Sequence, residues 1–422
     1  MHILVLTHYY PPEVNAPASR ISEMARAWVK AGEKVTVVTC APSHPRGRVF
    51  PGYRNRFGRQ SSDGVDIIRL PTFLAANEGF GRRLLNYLSY PLSLLFHLPR
   101  LPEADIIVST SPQFFCGLSG LLLRRGHRPW VLEIRDLWPE SIVAVGAMRR
   151  GFVIRLLERI ERFAYQKADA LVSVTDSFVP HLLAGRGGQG PVAIIKNGVD
   201  LEFFGAPDDE DAGARLRREL GLEGKFIAAY VGTHGMAHGL DTLLDAAEHL
   251  REDDDIFFLL VGDGAERERL EQKVQERRLT NVLIAGQRPK SDMPAIWQAT
   301  DVSLVLLRRL ETFKSVLPSK IFEAMAMGLP VVSTTVGAEG LPLTPDEHVL
   351  IADDAAGFAA AVVGLLRDPA ARACIGHAGQ RLVAEQYDWS AVFGHLERAL
   401  ETAARRAEPS LVLPGLELQT RN

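Results

Sequence analysis

The sequence is short of cysteine and of long apolar runs. Its three cysteines, Cys40, Cys116 and Cys374, lie far apart and form no C-x-x-C or Cys/His cluster. That spacing argues against a disulfide framework and a structural zinc site, and it favours a reducing cytoplasm. No stretch of about 18–20 residues is apolar enough to span a membrane. Residues 2–6 enter a strand-like segment without a basic region, so we expect no signal peptide.

The composition is that of a soluble globular protein with about two domains. Of 422 residues, 46% are hydrophobic and 23% are charged, which excludes a disordered or fibrous chain. The net charge of −3 hides an asymmetry, because residues 1–200 hold 25 Lys and Arg against 16 Asp and Glu, whereas the remainder holds 23 against 35. A basic half joined to an acidic half predicts two surfaces with different partners.

Short β-branched runs alternate with helical patterns along the chain. In the first half the runs are Ile3–Leu6, Val35–Thr39, Asp66–Leu70, Asp105–Ser109, Val131–Ile134, Leu171–Val174 and Val192–Ile195. In the second half they are Phe226–Val231, Ile256–Val261, Val282–Ala285, Val302–Leu306, Val331–Ser333 and His348–Ile351. This alternation predicts an α/β fold with a parallel, doubly wound sheet in each half.

The pattern restarts after a polar stretch, which we interpret as the domain boundary. We expect an N-terminal domain over 1–204, a linker over 205–223, a C-terminal domain over 224–383, a terminal helix over 384–405 and a tail over 406–422. In the terminal segment, Trp389, Val392, Phe393 and Leu396 have helical spacing. The periodicity leaves open whether this helix crosses back to the first domain. Two facing α/β domains would bind ligands in a cleft at the carboxyl ends of both sheets.

Two polar segments of the first half follow strands. The loop from Thr7 to Arg20 contains three prolines and no glycine, which disfavours a dinucleotide site because that site needs glycines at this turn. A loop this long is more often functional, although it could be a stiff surface connection. Arg135 and Asp136 come directly after a later strand. They would face the cleft as part of a site, unless they form a local ion pair.

In the second half, two glycine-containing turns follow successive strands. Their members are Gly232, Thr233, His234, Gly235 and His238 in the first turn, and Gly262 and Gly264 in the second. Closely spaced glycines at a strand-to-helix turn allow backbone N–H groups to approach an anion. Two such turns on one sheet edge favour nucleotide binding.

A third segment of the second half has the pattern of a helix start. Pro318 and Ser319 are common at this position, so Lys320 and Glu323 fall in the first turn. Lys320 would counter a diphosphate there, and Glu323 would accept hydrogen bonds from two ribose hydroxyls. Glu323 as a capping-box residue is the structural alternative.

These segments occur in an order that resembles a known family. The Pro-Pro loop, Arg135–Glu140, Asn197–Asp200, Gly262–Gly264 and Pro318–Glu323 are similar to the motifs of family-four retaining glycosyltransferases of GT-B fold. The resemblance covers about residues 1–400 and is strongest to the bacterial surface-polysaccharide branch that includes proteins described as L-fucosamine transferases. It implies a nucleotide-sugar donor that is UDP-linked and carries an N-acetylated deoxyhexose, and a lipid-linked or growing glycan as acceptor. It implies no metal and no cofactor.

The resemblance also implies roles for individual residues. Donor contacts fall on the residues of both glycine turns and on Arg288, Ser315, Leu317, Pro318, Ser319, Lys320 and Glu323, and acceptor contacts fall on Asn15, Ala16, Pro17 and Arg20. We expect Lys320 and Arg135 to stabilise charge and Asp136 to engage the acceptor hydroxyl. Sugar transfer passes through an oxocarbenium-like state while negative charge grows on the leaving diphosphate. We assign no protein nucleophile.

Two departures from the family pattern affect the donor site. Ser315 stands where many members have the first Glu of an E-x7-E motif, so the usual contact to the donor sugar is absent or made by another group. Thr233 and His238 stand where many members have an Arg and a Lys. The phosphate charge must then be met by Lys320, by Arg308 or Arg309, or by a protonated His234 or His238. A nucleotide-sugar epimerase and a non-catalytic nucleotide-sugar-binding subunit are the alternatives.

The basic half contains features that suit a membrane surface. Five arginines, Arg46, Arg48, Arg54, Arg56 and Arg59, lie within fourteen residues that contain no acid. The following Phe80–Leu101 stretch is apolar and uncharged from Leu84 to Pro99. We expect peripheral binding to the inner face of the cell membrane, with packing on the first sheet as the alternative. No nucleic-acid-binding motif accompanies the arginines, so we expect no nucleic acid partner.

Overall fold

The computed structural model describes residues 1–401 except 45, 76–79, 125–127, 145–147, 189, 206–208, 310–317, 390, 391, 393, 395–397 and 399. Within these residues the chain forms two separate sheets, each covered by helices on both faces. This arrangement confirms the predicted α/β fold with two doubly wound domains.

The first sheet has eight strands. They are β1 (His2–Leu6), β2 (Lys34–Cys40), β3 (Gly58–Ser62), β4 (Val65–Leu70), β5 (Ile106–Thr110), β6 (Trp130–Ile134), β7 (Ala170–Ser173) and β8 (Val192–Ile194). Their order across the sheet is β3-β4-β2-β1-β5-β6-β7-β8, and every pairing is parallel except that of β3 with β4. Strand β3 escaped prediction because it is a polar, mostly exposed edge strand. The Asp63-Gly64 turn, with positive φ at both residues, was the available hairpin signal.

The helices of the first domain are α1 (Ala16–Lys30), α2 (Phe80–His97), α3 (Phe114–Leu118), α4 (Gly120–Leu123), α5 (Glu140–Ala144), α6 (Phe152–Lys167), α7 (Val179–Gly185) and α8 (Leu201–Phe204). Side chains of β1 alternate between the two faces, as the strand period of two requires. Ile3 and Val5 pack against α1, whereas Leu4 and Leu6 lie in the cluster that α2, α6 and α7 complete. Helices α2 and α6 therefore cover the same face of the sheet.

The second sheet has six parallel strands, all of which the apolar runs predicted. They are β9 (Phe226–Val231), β10 (Ile256–Val261), β11 (Val282–Gly286), β12 (Val302–Val305), β13 (Val331–Ser333) and β14 (Leu350–Ile351), in the order β11-β10-β9-β12-β13-β14. The helices of this half are α9 (Ala212–Leu220), α10 (Asp241–His249), α11 (Arg267–Arg277), α12 (Met293–Gln298), α13 (Lys320–Ala326), α14 (Thr335–Ala338), α15 (Ala355–Arg367) and α16 (Pro369–Gln386). Four short 3-10 turns complete the described elements: Leu98–Arg100, Asp176–Phe178, Met236–His238 and Lys290–Asp292.

The polar stretch taken as a linker, 205–223, contains helix α9. Arg217 of this helix donates to Asp301 Oδ2 at 2.7 Å, and the Gly213 N–H donates to the Gln298 side chain at 2.9 Å. Val199 and Phe204 already belong to the apolar cluster of the second sheet. The polar composition thus reflects a helix with a solvated side, and the chain enters the second core a few residues before the polar stretch begins.

After α16 the chain returns to the first domain. Asp388 forms a β-bridge with Val199, and Trp389, Val392 and Leu400 are buried in the cluster beneath α1. The terminal helix expected over 384–405 is therefore interrupted, since its first three residues belong to α16. Phe393, Leu396 and the tail 406–422 lie outside the described residues.

Candidate active site

A cavity of about 240 Å³ opens where neighbouring strands of the first sheet end. Strands β1, β5 and β6 are adjacent, so the loops that follow them converge at one edge. The cavity is lined by Tyr9, Asn15, Pro17, His44, Tyr87, Pro112, Gln113, Asp136 and Trp138. It therefore brings together Asn15, Pro17 and Asp136, which the sequence analysis assigned to the acceptor. Sequence reasoning assigned no role to Tyr9 and Trp138 within the predicted segments, and it missed His44, Tyr87 and Gln113, whose positions carry no motif.

Asn15 links this cavity to helix α1. Its Oδ1 accepts a hydrogen bond from the Ala18 N–H at 3.0 Å and caps the helix, with Ala16 and Pro17 at the first two helical positions. The other side-chain atom, Nδ2, is buried and has no protein partner. Gln113 Oε1 is likewise buried without a partner. One donor and one acceptor are thus available to a polar ligand in the cavity.

Asp136 supplies the carboxylate of the cavity. Its Oδ2 accepts a hydrogen bond from the Ser141 hydroxyl at 3.2 Å. Burial raises the pKa of Asp136 above its ordinary value, although Ser141 and the Leu137 N–H oppose the shift. A carboxylate with a raised pKa is a stronger proton acceptor than an exposed one.

Arg20 was expected to contact the acceptor, but its guanidinium is fully used by the protein. Nε and Nη2 donate to Glu133 Oε1 at 2.9 and 2.8 Å. The remaining N–H groups donate to the backbone oxygens of Ile195 and Lys196 and to Asn197 Oδ1, at 2.8 to 3.1 Å. All five donors are occupied, so Arg20 holds α1 against the ends of β6 and β8 and has none left for a substrate.

Arg135 stands between this ion pair and the cavity loop. Its backbone N–H donates to the Ser111 hydroxyl at 2.9 Å, and its Nη1 is buried without a partner. Burial lowers the pKa of Arg135 to about 10, with Glu133 opposing and Arg20 contributing to the shift. The guanidinium stays charged at neutral pH. Burial disfavours ionisation of Glu133, but Arg20, Arg135 and Thr110 together lower its pKa below the ordinary value.

In the second domain the two glycine turns touch each other. A Cβ atom added at Gly262 would collide with the Gly232 carbonyl oxygen, and one added at Gly264 would collide with the His234 carbonyl oxygen. Gly232 and Gly262 also have φ values of 145° and 150°, which side chains rarely adopt. The glycines therefore allow two backbone turns, at the ends of β9 and β10, to lie in direct contact.

His234 and His238 do not supply the positive charge that was one of the predicted options. His234 is fully buried, and burial, with Lys320 nearby, lowers its pKa to about 4. The His238 Nδ1 donates to the Leu306 carbonyl at 3.2 Å, and burial together with Lys320 lowers its pKa to about 3. Both imidazoles are neutral at pH 7. Both His234 ring nitrogens lack a protein partner.

Lys320 reaches from the start of α13 to the first glycine turn. Its Nζ lies 3.7 Å from the centroid of the Tyr230 ring, and a Cβ at Gly232 would lie 2.7 Å from it. The Nζ is buried without a hydrogen-bond partner. Burial lowers the pKa of Lys320 from 10.5 to about 7, with Glu323 opposing the shift. A buried amine in this state gains most from an anionic ligand that restores its charge and its hydrogen bonds.

Glu323 lies one turn further along α13. The Trp297 indole N–H points at its Oε2 at 3.4 Å. Burial, with Glu23 of the first domain, raises the pKa of Glu323 to about 7, while Lys290 and Lys320 oppose the shift. The capping-box alternative is not observed, because the Ser319 side chain makes no cap hydrogen bond and Glu323 is one position beyond the site that a capping box requires.

The remaining predicted donor contacts fall in three places. Arg288 donates to Glu219 at 3.3 Å in an exposed ion pair. Arg308 packs its side chain over Gly239, beside the first turn, and Pro318 is buried. Ser315 and Leu317 lie outside the described residues. Within the described part of the chain, no group of three His, Cys, Asp or Glu side chains is placed to hold a metal ion.

One contact that sequence reasoning missed joins the two domains beside Glu323. Glu23 of α1 accepts a hydrogen bond from the Trp389 indole at 2.7 Å and pairs with Lys290 of the second domain. Neither residue belongs to a motif. Because Glu23 and Lys290 both act on the Glu323 carboxyl, the candidate donor site lies at the interface of the domains.

Two facing parallel-sheet domains of this kind define the GT-B class of glycosyltransferases. Residues 15–198 match the model of the glycosyl transferase 4-like domain, and residues 225–368 match that of the glycosyl transferases group 1 domain. The chain belongs to the glycosyltransferase group 1 family.

Known proteins are similar to the chain over most of its length. WcaI of Escherichia coli, named for glycosyl transfer in colanic acid biosynthesis, is 28% identical over 79% of this chain and 83% of its own. Sucrose-phosphate synthase of Thermosynechococcus elongatus has a TM-score of 0.73 at 22% identity, covering 95% of this chain and 99% of that one. Anabaena Alr3699/HepE, solved with UDP and glucose, has a TM-score of 0.69 at 16% identity, covering 94% and 99%. At these identities the solved structures establish the fold.

Proposed function

We propose that the protein transfers a sugar from a nucleotide-diphosphate donor, held by the second domain, to an acceptor hydroxyl in the cavity of the first. The observation that carries this proposal is Lys320, a buried amine without a partner at the contact between two glycine turns. Lys320 offers a diphosphate one cation in a site sheltered from water. A fixed positive charge in a site that excludes water stabilises the negative charge that develops in the transition state.

The proposed reaction divides between the two domains. Lys320 neutralises the negative charge that grows on the leaving diphosphate, Glu323 accepts hydrogen bonds from the ribose hydroxyls, and Asp136 engages the acceptor hydroxyl. Arg135 adds positive charge behind Asp136. No protein nucleophile is needed if the acceptor attacks the face that the diphosphate leaves, which gives retention of configuration. Because protein side chains supply this charge stabilisation, the proposed reaction requires no metal.

The finer identity of the substrates is also part of the proposal. UDP is the first nucleotide to test, because the structural neighbour HepE was solved with it. An N-acetylated deoxyhexose such as L-fucosamine is the first donor sugar to test. The name of WcaI supports a role in surface-polysaccharide synthesis, in which the acceptor is a polyprenyl-diphosphate-linked or growing glycan.

Such an acceptor requires a position at the inner face of the cell membrane. No helix among the described residues is long and apolar enough to cross a membrane, so contact would be peripheral. The arginine segment borders the end of α2, where the Phe57 ring stacks on His97 and Arg59 donates to the Arg100 carbonyl. On α2, Leu84 and Leu88 are half-buried, and the exposed apolar residues are Leu85, Leu92, Leu95 and Phe96.

Donor turnover with and without a lipid acceptor tests the proposal. A calorimetric screen of nucleoside diphosphate sugars first identifies the donor, and its consumption is then followed by chromatography. A transferase consumes donor rapidly only when a membrane lipid extract is added. An epimerase converts the donor without lipid, and a binding subunit converts nothing. Either of the last two results would contradict the proposal, and the family assignment favours neither.

A further inference from the structure

Helix α6 carries two apolar stripes on opposite sides. Ile154, Leu157 and Ala164 face inward and are buried. At about 100° per residue, Phe152, Leu156 and Phe163 fall within about 40° of one another on the opposite side. We call these three residues the outer stripe of α6. They are between 45% and 72% exposed, in a position where a helix of a soluble protein ordinarily carries polar residues.

Positive charge lines one side of the outer stripe, and the exposed Val153 borders its other side. Arg155, Arg159 and Arg162 are exposed along it, Arg149 and Arg150 precede the helix, and Lys167 ends it. Of the two acids in the helix, Glu161 is buried and bonded to Tyr165, which leaves only Glu158 near the surface. An exposed apolar stripe bordered by arginines is complementary to a surface that is apolar inside and anionic outside.

Helix α6 shares its side of the domain with α2. Both helices pack into the cluster on one face of the first sheet, whereas α1 covers the other face. Exposed apolar side chains also occur on α2 and at Leu121 of α4. Exposed apolar side chains grouped on one helix face mark a candidate interaction site.

The buried side of α6 packs next to the cavity of the first domain. Ile154 and Leu157 pack in one cluster with Phe114 and Trp138, and the Trp138 and Phe114 rings lie 4.5 Å apart. Trp138 also lines the cavity beside Asp136. One side of α6 therefore supports the wall of the proposed acceptor site, while its other side is free in the described structure.

We propose that the outer stripe of α6 and its arginines form the principal contact of this protein with an anionic phospholipid surface. The helix would lie in the plane of the surface, with Phe152, Leu156 and Phe163 at the level of the headgroups. The purpose of this contact, the delivery of a lipid-linked acceptor to the adjacent cavity, rests on the proposed function. The contact itself can be measured without any sugar.

Vesicle flotation tests the contact on the full chain. The vesicles contain phosphatidylcholine alone, or phosphatidylcholine mixed with phosphatidylglycerol. Wild type should bind only the anionic vesicles, and its binding should weaken as the salt concentration rises. Each arginine at such a surface contributes about fivefold, so Arg155→Ala, Arg159→Ala and Arg162→Ala together should weaken binding about 100-fold. Phe152→Ser, Leu156→Ser and Phe163→Ser together should weaken it about tenfold or more.

A charge-matched control lies on the second domain. Arg218, Arg367 and Arg381 are exposed there, and their triple replacement by Ala should leave vesicle binding within about twofold of wild type. All variants change exposed side chains, and thermal melting verifies that they fold. Nucleotide binding by calorimetry is followed in parallel, so that failure of the donor site is distinguished from failure of the lipid contact.

Three results would overturn the proposal. The first is equal binding of wild type to anionic and neutral vesicles, and the second is wild-type binding by the α6 variants. The third is self-association of wild type without lipid binding in sedimentation velocity, together with a monomeric serine variant. The last result would assign the outer stripe to a second copy of this chain.

Discussion

Replacing Lys320 by Met separates the role of this residue in function from its effect on stability. The lowering of its pKa from 10.5 to about 7 corresponds to about 5 kcal/mol of unfavourable burial for the charged form. Met has a similar length and no charge, so the free protein should gain about 1–4 kcal/mol of unfolding free energy at pH 6. Loss of the cation from the diphosphate site should lower kcat about 10²–10³-fold. A stabilised but inactive variant is therefore expected.

The pH dependence gives a second reading of the same site. Between pH 7 and pH 10.5, Lys320 is neutral in the folded protein and charged in the unfolded chain, so wild-type stability rises with pH and the advantage of the Met variant shrinks. Nucleotide binding should restore the charge and take up a proton above pH 7, so that affinity falls as pH rises. Glu323, with its pKa raised to about 7, should weaken binding below that pH as it is protonated.

Urea unfolding without nucleotide and calorimetry with UDP measure the two effects. Lys225→Met, at a half-exposed lysine whose Nζ donates to the Asp254 carbonyl, is the matched control and should leave nucleotide affinity unchanged. The reasoning is refuted if Lys320→Met keeps wild-type UDP affinity and kcat. It is also refuted if affinity is independent of pH between 6 and 9.

Four further predictions address other parts of the site. Glu323→Ala should weaken nucleotide binding by about 1–3 kcal/mol in calorimetry, because ribose hydroxyls lose their acceptor; unchanged affinity would contradict the ribose assignment. Asp136→Asn should lower transfer about 10²–10⁴-fold at unchanged UDP affinity, and equal transfer rates would remove Asp136 from the reaction. Arg20→Ala should lower the unfolding free energy by about 3–5 kcal/mol, because it removes the ion-pair partner of the buried Glu133 carboxylate; a stable variant with only a raised acceptor KM would restore Arg20 to the acceptor site. Dialysis against EDTA should leave activity intact, and strict dependence on magnesium or manganese would contradict the proposed mechanism.

The sequence predicted those parts of the fold that local patterns determine. Continuous apolar runs identified the strands of both sheets because such strands are covered on both faces. The exposed edge strand β3 has no such run. Helix α9 was taken for a linker because most of its residues face solvent. In both cases the hydrophobic pattern was weak although backbone hydrogen bonds were formed.

The candidate-site residues that directly follow strands could be predicted from the sequence. The residues whose contacts are made with partners distant in the sequence could not. The turn that contains Gly232 follows β9, the turn that contains Gly262 follows β10, and Lys320 begins α13. These positions bring the three residues together. Arg20 was misassigned because its partner, Glu133, lies 113 residues away. A protonated His234 or His238 was one of the predicted sources of positive charge, and a sequence does not reveal the burial that keeps both neutral.

The most direct test of the account is sugar transfer by the purified protein. Radiolabelled UDP-sugars are incubated with a lipid extract that contains polyprenyl-diphosphate-linked glycans, and the label in the organic phase is counted. Wild type should move label from one donor into lipid with retention at the anomeric carbon, and Lys320→Met and Asp136→Asn should not. Donor that is bound but never transferred to any lipid or glycan acceptor, or a product of inverted configuration, would contradict the account.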